Sequence, residues 1–140
     1  MKFKSHADTI SKKISKITGI MNKLKNFLPS EALLHIYNAL IAPYLNYGIL
    51  LWHKHCSKLF LSQKKAIRII SHANYNSHTS GLFKSLRILK LHDIWALYAM
   101  KFCFKLENGL LPDYFYVSNM FVKNIDRHRY EIRRINDYTV

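Results

Sequence analysis

The chain has 140 residues, which is the usual size of one domain and is enough to bury a hydrophobic core. Its hydrophobic fraction of 49% argues against wholesale disorder, and its 2 cysteines are too few for the disulfide framework of a small secreted domain. Lysine and arginine number 22 against 8 aspartates and glutamates, which gives a formal net charge of +14.

This excess of positive charge predicts an anionic partner. Nucleic acid is the commonest polyanion inside a cell and is the favoured interpretation, while an anionic membrane surface and a general basic bias without a partner remain alternatives. Lysines occur near the amino terminus but no apolar run follows them, so no signal peptide is expected. With Cys56 and Cys103 interpreted as reduced thiols, the expected location is intracellular, in the nucleus or the cytoplasm.

The first predicted helix covers residues 7 to 27. Its apolar residues recur at intervals of four and three, which is typical of one face of an amphipathic helix. These residues are Ile10, Ile14, Ile17, Met21, Leu24 and Leu28. Pro29 ends this helix, and Ser30 is predicted to be the N-cap of the next one.

The stretch from Ile36 to Trp52 carries no charged side chain. At helical spacing its apolar residues, with the two leucines before it, fall on two adjacent stripes, which predicts a helix that neighbouring helices surround. One stripe contains Leu33, Tyr37, Leu40, Tyr44, Tyr47 and Leu51, and the other contains Leu34, Ile41, Leu45 and Trp52. Pro43 interrupts the pattern and predicts a kink, or a junction of two helices, between Ala39 and Pro43.

The same stretch reaches the short end of the length that a membrane span needs. Asn38, Asn46 and Pro43 oppose a span, and the basic residues on both sides of the stretch give no orientation bias. A buried helix is therefore favoured. A small membrane-associated protein anchored by residues 36–52 is kept as an alternative.

Further helices are predicted over residues 58–71, with Ser57 as the cap, and over residues 92–108, with a shorter helix starting at Thr79 or Ser80. The apolar face of the first of these contains Leu59, Phe60, Gln63, Ala66, Ile67 and Ile70. The run Ile88, Leu89 and Leu91 is predicted to pack into the core. Gly109 and Pro112 are expected to stop the helix over residues 92–108.

No segment alternates between apolar and polar residues over the length of a strand, so the chain is predicted to be all-α, a small helical bundle. Residues 1–123 are assigned to the helical domain. Residues 124–140 are assigned to a basic tail that orders partly, or on binding.

The residue types that catalysis requires are scattered. The acidic residues stand singly, so there is no closely set pair of carboxylates for two-metal chemistry, and the four glycines do not form a phosphate-binding loop. The cluster His53, His55 and Cys56, with His72 and His78 further on, suggests a zinc site. Since no standard ligand spacing supports zinc, polar loop histidines are the favoured interpretation, and no catalytic or metal-binding residue is predicted.

Basic residues interleaved with aromatic ones are the better signal. Several lysines and arginines fall on the polar sides of the predicted helices and in the tail, where they would neutralise phosphates along a nucleic-acid backbone. The candidates are Lys58, Lys64, Lys65, Arg68, Lys101, Lys105 and Arg133. For any single one of them, a solvated helix face is the simpler explanation, so the prediction depends on the set.

The order of several short motifs resembles the C-terminal region of reverse transcriptases from non-LTR retrotransposons of the jockey-like kind. The motifs are KISK from Lys13, GI from Gly19, FLP from Phe27, IYNALIAPYLNYGI from Ile36, Trp52, QKKAIRII from Gln63, ILKL from Ile88 and LLP from Leu110. In the tail, His128, Tyr130 and Arg133 fit a His-x-Tyr-x-Thr-Arg pattern in which Ile132 replaces the threonine. The resemblance covers nearly the whole chain.

This resemblance implies a helical thumb and its extension, which grip the RNA template and the growing duplex. It implies a parent RNA-directed DNA polymerase that uses magnesium, whose catalytic palm motif Tyr-x-Asp-Asp does not occur in this sequence. The chain alone is therefore expected to be no enzyme and to need no cofactor. The implied partners are the backbone of RNA or of an RNA/DNA duplex, with a palm domain supplied elsewhere as a further candidate, and a non-functional mobile-element relic is the remaining alternative.

Overall fold

A computed structural model describes residues 3–117, 122–123 and 138–139, and the chain divides into two compact units, Met1–Tyr98 and Ala99–Val140. The helices are α1 (Phe3–Leu24), α2 (Ser30–Leu40), α3 (Ala42–Asn46), α4 (Ile49–Trp52), α5 (Ser57–Ile70), α6 (Thr79–Ser85), α7 (Leu91–Glu107) and α8 (Tyr114–Val117). A 3-10 turn, His53–His55, connects α4 to α5. The prediction of an all-α chain is confirmed.

The second unit contains the end of α7, then α8 and a pair of two-residue strands. Strand β1 (Val122–Lys123) pairs in antiparallel fashion with β2 (Tyr138–Thr139). Phe102 of α7 packs edge-on against Phe115 of α8, with 5.8 Å between ring centroids. Most of the predicted basic tail, residues 124–137, lies outside the described residues.

The core of the first unit forms where α1 packs against α5. Ile10, Ile14 and Met21 of α1 are buried, as the periodicity predicted, and Ala7 extends the same face. Ile17, Leu24 and Leu28 are half-buried against this core. Because the apolar stripe of α1 finds its partner in α5, the first two thirds of the chain close around one hydrophobic centre.

Both predicted N-caps are displaced by one residue. Ser30 and Ser57 are the first residues of α2 and α5, and the capping positions are Pro29 and Cys56. The carbonyl of Pro29 already accepts the Leu33 amide at 3.2 Å, and the carbonyl of Cys56 accepts the Phe60 amide at 2.9 Å. Since those carbonyls begin the helical hydrogen-bond ladder, neither serine keeps the non-helical backbone that a cap requires.

The junction predicted before Pro43 is present as a break between two helices. Helix α2 ends at Leu40, and α3 begins at Ala42 with Pro43 in its first turn. A first-turn proline loses no hydrogen bond because its missing N–H would have no intrahelical partner there. Among the described helices, none is both long enough and apolar enough to cross a membrane.

The prediction that both apolar stripes of this stretch are covered is wrong for part of one of them. The buried residues are Leu33, Tyr37, Ile41, Leu45, Ile49 and Trp52. On the predicted stripe that starts with the buried Leu33 and Tyr37, three later residues are exposed. Leu40 is 49% exposed, Tyr47 is 75% exposed and Leu51 is 63% exposed. Because the helix is interrupted at Ile41 and Gly48, the spacing of one continuous helix does not hold across the stretch. Only one side of each of α2, α3 and α4 faces the core.

The predicted faces of the later helices are mostly confirmed. Gln63 is buried on α5 among Leu59, Ala66, Ile67 and Ile70, while Phe60 is half-buried. Leu91 is buried, but Leu89 of the same run is exposed, which corrects its assignment to the core. Helix α7 ends at Glu107, shortly before Gly109, as predicted. The φ of Gly109 is 66°, which places it in the left-handed region.

Gly48 is the position where the backbone depends most on glycine. Its φ is 63°, and a Cβ added there would lie 3.6 Å from Nε1 of Trp52, the atom that donates to the Tyr47 carbonyl at 2.9 Å. Gly48→Ala is expected to lower the free energy of unfolding by about 1–2 kcal/mol, since a side chain disfavours the left-handed conformation. Urea unfolding followed by circular dichroism measures this.

The matched control for Gly48→Ala is Gly81→Ala in α6. Gly81 is exposed, has no positive φ, and a Cβ there meets nothing within 4 Å. Alanine is expected to leave stability unchanged or to raise it slightly, because alanine is the better helix former. Equal destabilisation by the two substitutions would contradict the role assigned to the Gly48 backbone.

Candidate nucleic-acid interface

A surface groove of about 350 Å³ lies between α1, α5 and the loop that follows α5. Helix α1 contributes Ser15 and Asn22, and Lys25 follows its last turn. Helix α5 contributes Lys65 and Arg68. The loop contributes the ring of Tyr75, which completes a groove with polar, cationic and aromatic walls. We call it the α1–α5 groove.

The charge of this groove has a single sign. Three of its lining residues, Lys25, Lys65 and Arg68, are cationic, and none of the described residues that line it is acidic. Cations gathered on the walls of a cleft focus positive potential into it, more strongly than the same charges spread over a convex surface. The groove is therefore suited to an anion.

Arg68 also holds the loop that forms one side of the groove. Its Nε donates to the Ser77 carbonyl at 3.0 Å, and its own carbonyl accepts the Ala73 amide at 2.9 Å. His72, with a φ of 49°, turns the chain out of α5. These contacts place Tyr75 at the groove with 76% of its surface exposed. An exposed ring beside cations is the arrangement on which a nucleic-acid base stacks.

The structure brings together only part of the predicted basic set. Lys65 and Arg68 line the groove, but Lys58 and Lys64 do not. Lys58 forms an exposed ion pair with Asp8 at 3.2 Å, and Lys64 lies over the Phe60 ring at 4.4 Å from its centroid. Because Asp8 partly neutralises Lys58, that lysine offers less charge to a polyanion than its sequence position suggested.

The remaining predicted residues lie elsewhere. Lys101 and Lys105 belong to the second unit, where both are exposed on α7. Arg133 lies outside the described residues. Among the described residues, neither Lys101 nor Lys105 lines the groove.

Sequence reasoning missed Lys25 and Tyr75. Along α1 and just after it, polar groove residues recur at the same intervals of three and four as the residues of the buried stripe. They are Ser15, Thr18, Asn22 and Lys25. This second stripe is visible in the sequence, but its function depends on which helix lies opposite. Tyr75 stands in a loop without periodicity, so no pattern indicated its position.

Comparison of the chain with protein-family models, with curated proteins and with solved structures finds no match. The resemblance to a reverse transcriptase stays a prediction that depends on the order of the short motifs. The groove and its charges are properties of this chain's own residues.

A second group of side chains with metal-ligating atoms lies where the 3-10 turn, the start of α5 and the first turn of α7 come together. His53 of the 3-10 turn, Cys56 at the start of α5 and His92 in the first turn of α7 each offer one ligand atom, and these atoms all lie within 4.8 Å of one another. We call these three residues the His–Cys–His cluster. His53 and Cys56 were weighed as zinc ligands from the sequence, whereas His92 was not.

The surroundings of this cluster are aromatic. The His53 ring stacks on Trp95 with 4.4 Å between centroids, and Phe60 packs edge-on against His92 at 5.0 Å. Burial lowers the pKa of His53, with a smaller effect from nearby His92. Burial also raises the pKa of the Cys56 thiol. His72 and His78 do not belong to the cluster, and the side chain of His55 lies outside the described residues.

Proposed function

We propose that this chain binds the sugar-phosphate backbone of RNA or of an RNA/DNA duplex through the α1–α5 groove, as the thumb-like part of a reverse transcriptase. The observation that carries the proposal is the convergence of Lys25, Lys65 and Arg68 on one groove with no acidic residue in its described lining. The resemblance of the sequence motifs to those of reverse transcriptases is the reason for proposing that the chain works beside a polymerase.

Binding through the groove rests on charge and stacking. The three cations contact successive phosphates, which fixes the position of a strand without selecting its sequence. Ser15 and Asn22 add neutral donors along the same wall, and Tyr75 stacks on a base of a single strand. This predicts weak, sequence-tolerant binding that declines steeply as salt rises.

The proposal assigns no catalytic step to this chain. Polymerisation would take place on a palm domain supplied elsewhere, with magnesium bound there. The groove would hold the template or the duplex while the palm acts. A thumb contributes by positioning, so its failure lowers affinity and processivity rather than the chemistry of a single addition.

The test is binding of the purified chain to fluorescent single-stranded RNA and to an RNA/DNA hybrid, followed by anisotropy across a salt series. Three phosphate contacts predict a slope of log affinity against log salt of about −2 on the single strand and about −3 on a duplex. Absence of binding at low salt by a chain with intact helical circular dichroism would contradict the proposal. That result would favour a relic whose charge has no partner.

Lys65→Glu is expected to weaken binding by about ten- to thirty-fold at low salt, because it removes one attraction of about 1 kcal/mol and adds a similar repulsion. The salt slope should fall by about one phosphate. Lys65 is exposed and makes no contact that the fold requires in the described structure, so the variant should unfold like the parent chain.

The matched control is Lys84→Glu on α6, which is exposed and does not line the groove but changes the net charge by the same amount. It is expected to change affinity by less than about three-fold, because it alters only the electrostatic field of the protein as a whole. Equal losses for Lys65→Glu and Lys84→Glu would show that net charge, and not the groove, determines binding.

A further inference from the structure

The His–Cys–His cluster is independent of the groove, and nothing in the nucleic-acid proposal uses it. Its three side chains come from three separate elements, namely the 3-10 turn, the N-cap of α5 and the first turn of α7. Imidazole nitrogens and a cysteine sulfur are the ligands that zinc prefers in proteins. Cys56 forms no disulfide.

We propose that His53, Cys56 and His92 bind one divalent cation of the zinc type, with three protein ligands and a water molecule in the fourth position. The cation would join the start of α7 to the turn before α5. Binding exchanges the S–H bond of Cys56 for a sulfur–metal bond and releases the proton to solvent, and no electron is transferred.

The geometry is close to what such a site requires. Tetrahedral zinc, with bonds of about 2.0 Å to nitrogen and about 2.3 Å to sulfur, places its ligand atoms about 3.3–3.6 Å apart. The three ligand atoms here already lie within 4.8 Å of one another. His92 is exposed, so its side chain is able to turn towards the other two without displacing the core.

A packing role alone does not account for His53. Its Nδ1 is one of two buried side-chain atoms in the described structure that have no hydrogen-bond partner, the other being Oγ of Ser71. Most buried polar atoms find a partner, so an imidazole with an unpartnered nitrogen next to a free thiol and a second imidazole is an arrangement suited to a metal ion. The stacked Trp95 holds the His53 ring, as the residues around a metal site orient its ligands.

The experiment is a titration of the purified full chain with Co²⁺ alone, without nucleic acid and in a reductant that contains no thiol. We expect a thiolate-to-cobalt charge-transfer band that saturates at one equivalent and that Zn²⁺ abolishes by displacement. Cys56→Ser should lose the band, and Cys103→Ser, the matched control, should keep it. Absence of the band in the parent chain, or its loss in Cys103→Ser with retention in Cys56→Ser, would overturn the proposal.

Cys56 is buried, so its replacement risks damage to the fold, and a second variant keeps the proposal falsifiable. His92→Gln changes an exposed residue and is expected to weaken cobalt binding by at least about ten-fold. Zn²⁺ should raise the melting temperature of the parent chain but not that of His92→Gln. An unchanged cobalt affinity in His92→Gln would overturn the three-ligand site. Because nucleic acid is not present, this result is separate from that of the groove.

Discussion

Gln63→Leu is expected to lower the free energy of unfolding by about 3–5 kcal/mol, since each buried polar group left without its partner costs about 1–3 kcal/mol. Gln63 is fully buried on α5. Its Nε2 donates to Oη of Tyr37 at 3.0 Å and to the carbonyl of Leu89 at 2.9 Å. Its Oε1 accepts the amide of Leu91 at 2.9 Å. Leucine fills a similar volume but satisfies none of these three groups.

Urea unfolding of the variant and of Tyr37→Phe separates the contributions. Tyr37→Phe removes one partner and is expected to cost only about 1 kcal/mol, because the Leu89 and Leu91 bonds to Gln63 remain. Burial raises the pKa of Tyr37, which is consistent with a hydroxyl that stays protonated in the core. If Gln63→Leu cost no more than Tyr37→Phe, the glutamine would not be the link between α5 and the start of α7.

Leu45→Ala is the second large effect, and it tests how α2, α3 and α4 face the core. Leu45 is completely buried on α3, and the loss of a buried leucine side chain costs about 2–5 kcal/mol. Leu51→Ala, at a side chain that is 63% exposed, is expected to cost less than about 0.5 kcal/mol. The two substitutions are chemically identical, so only burial distinguishes them.

Thermal and urea unfolding of Leu45→Ala and Leu51→Ala, at one protein concentration, gives the comparison. Similar losses for both variants would mean that a partner or a second copy of the chain covers Leu51 in solution. A dependence of the Leu51→Ala effect on protein concentration would identify such self-association. The structure of the single chain predicts neither outcome.

Helix α5 connects the three features on which these experiments depend. Its N-cap residue, Cys56, belongs to the His–Cys–His cluster. Its buried Gln63 accepts a hydrogen bond from the amide of Leu91 at the start of α7. On the opposite side, Lys65 and Arg68 face the α1–α5 groove. The basic groove has a defined shape only when α5 is packed on α1.

The sequence by itself determined the fold class and most of the helices. Ile10, Ile14 and Met21 recur on one face of α1. A helix with this pattern is stabilised by burying that face, whatever it packs against. Proline and glycine act locally too, since Pro43 and Gly109 end or begin helices through their own backbone geometry. The basic face of α5 was also visible, because charged side chains avoid the core.

Only the tertiary structure decided which of these surfaces meet. Because the helix is interrupted at Ile41 and Gly48, residues from both predicted stripes are buried and Leu51 is exposed, which no count at fixed spacing predicts. Lys25 and Tyr75 join Lys65 through packing of α1 and the loop against α5. His92 joins His53 and Cys56 across a long separation in the chain. Periodicity describes one helix at a time, whereas a groove or a ligand set exists only after helices pack, since contacts between them depend on positions that no local pattern records.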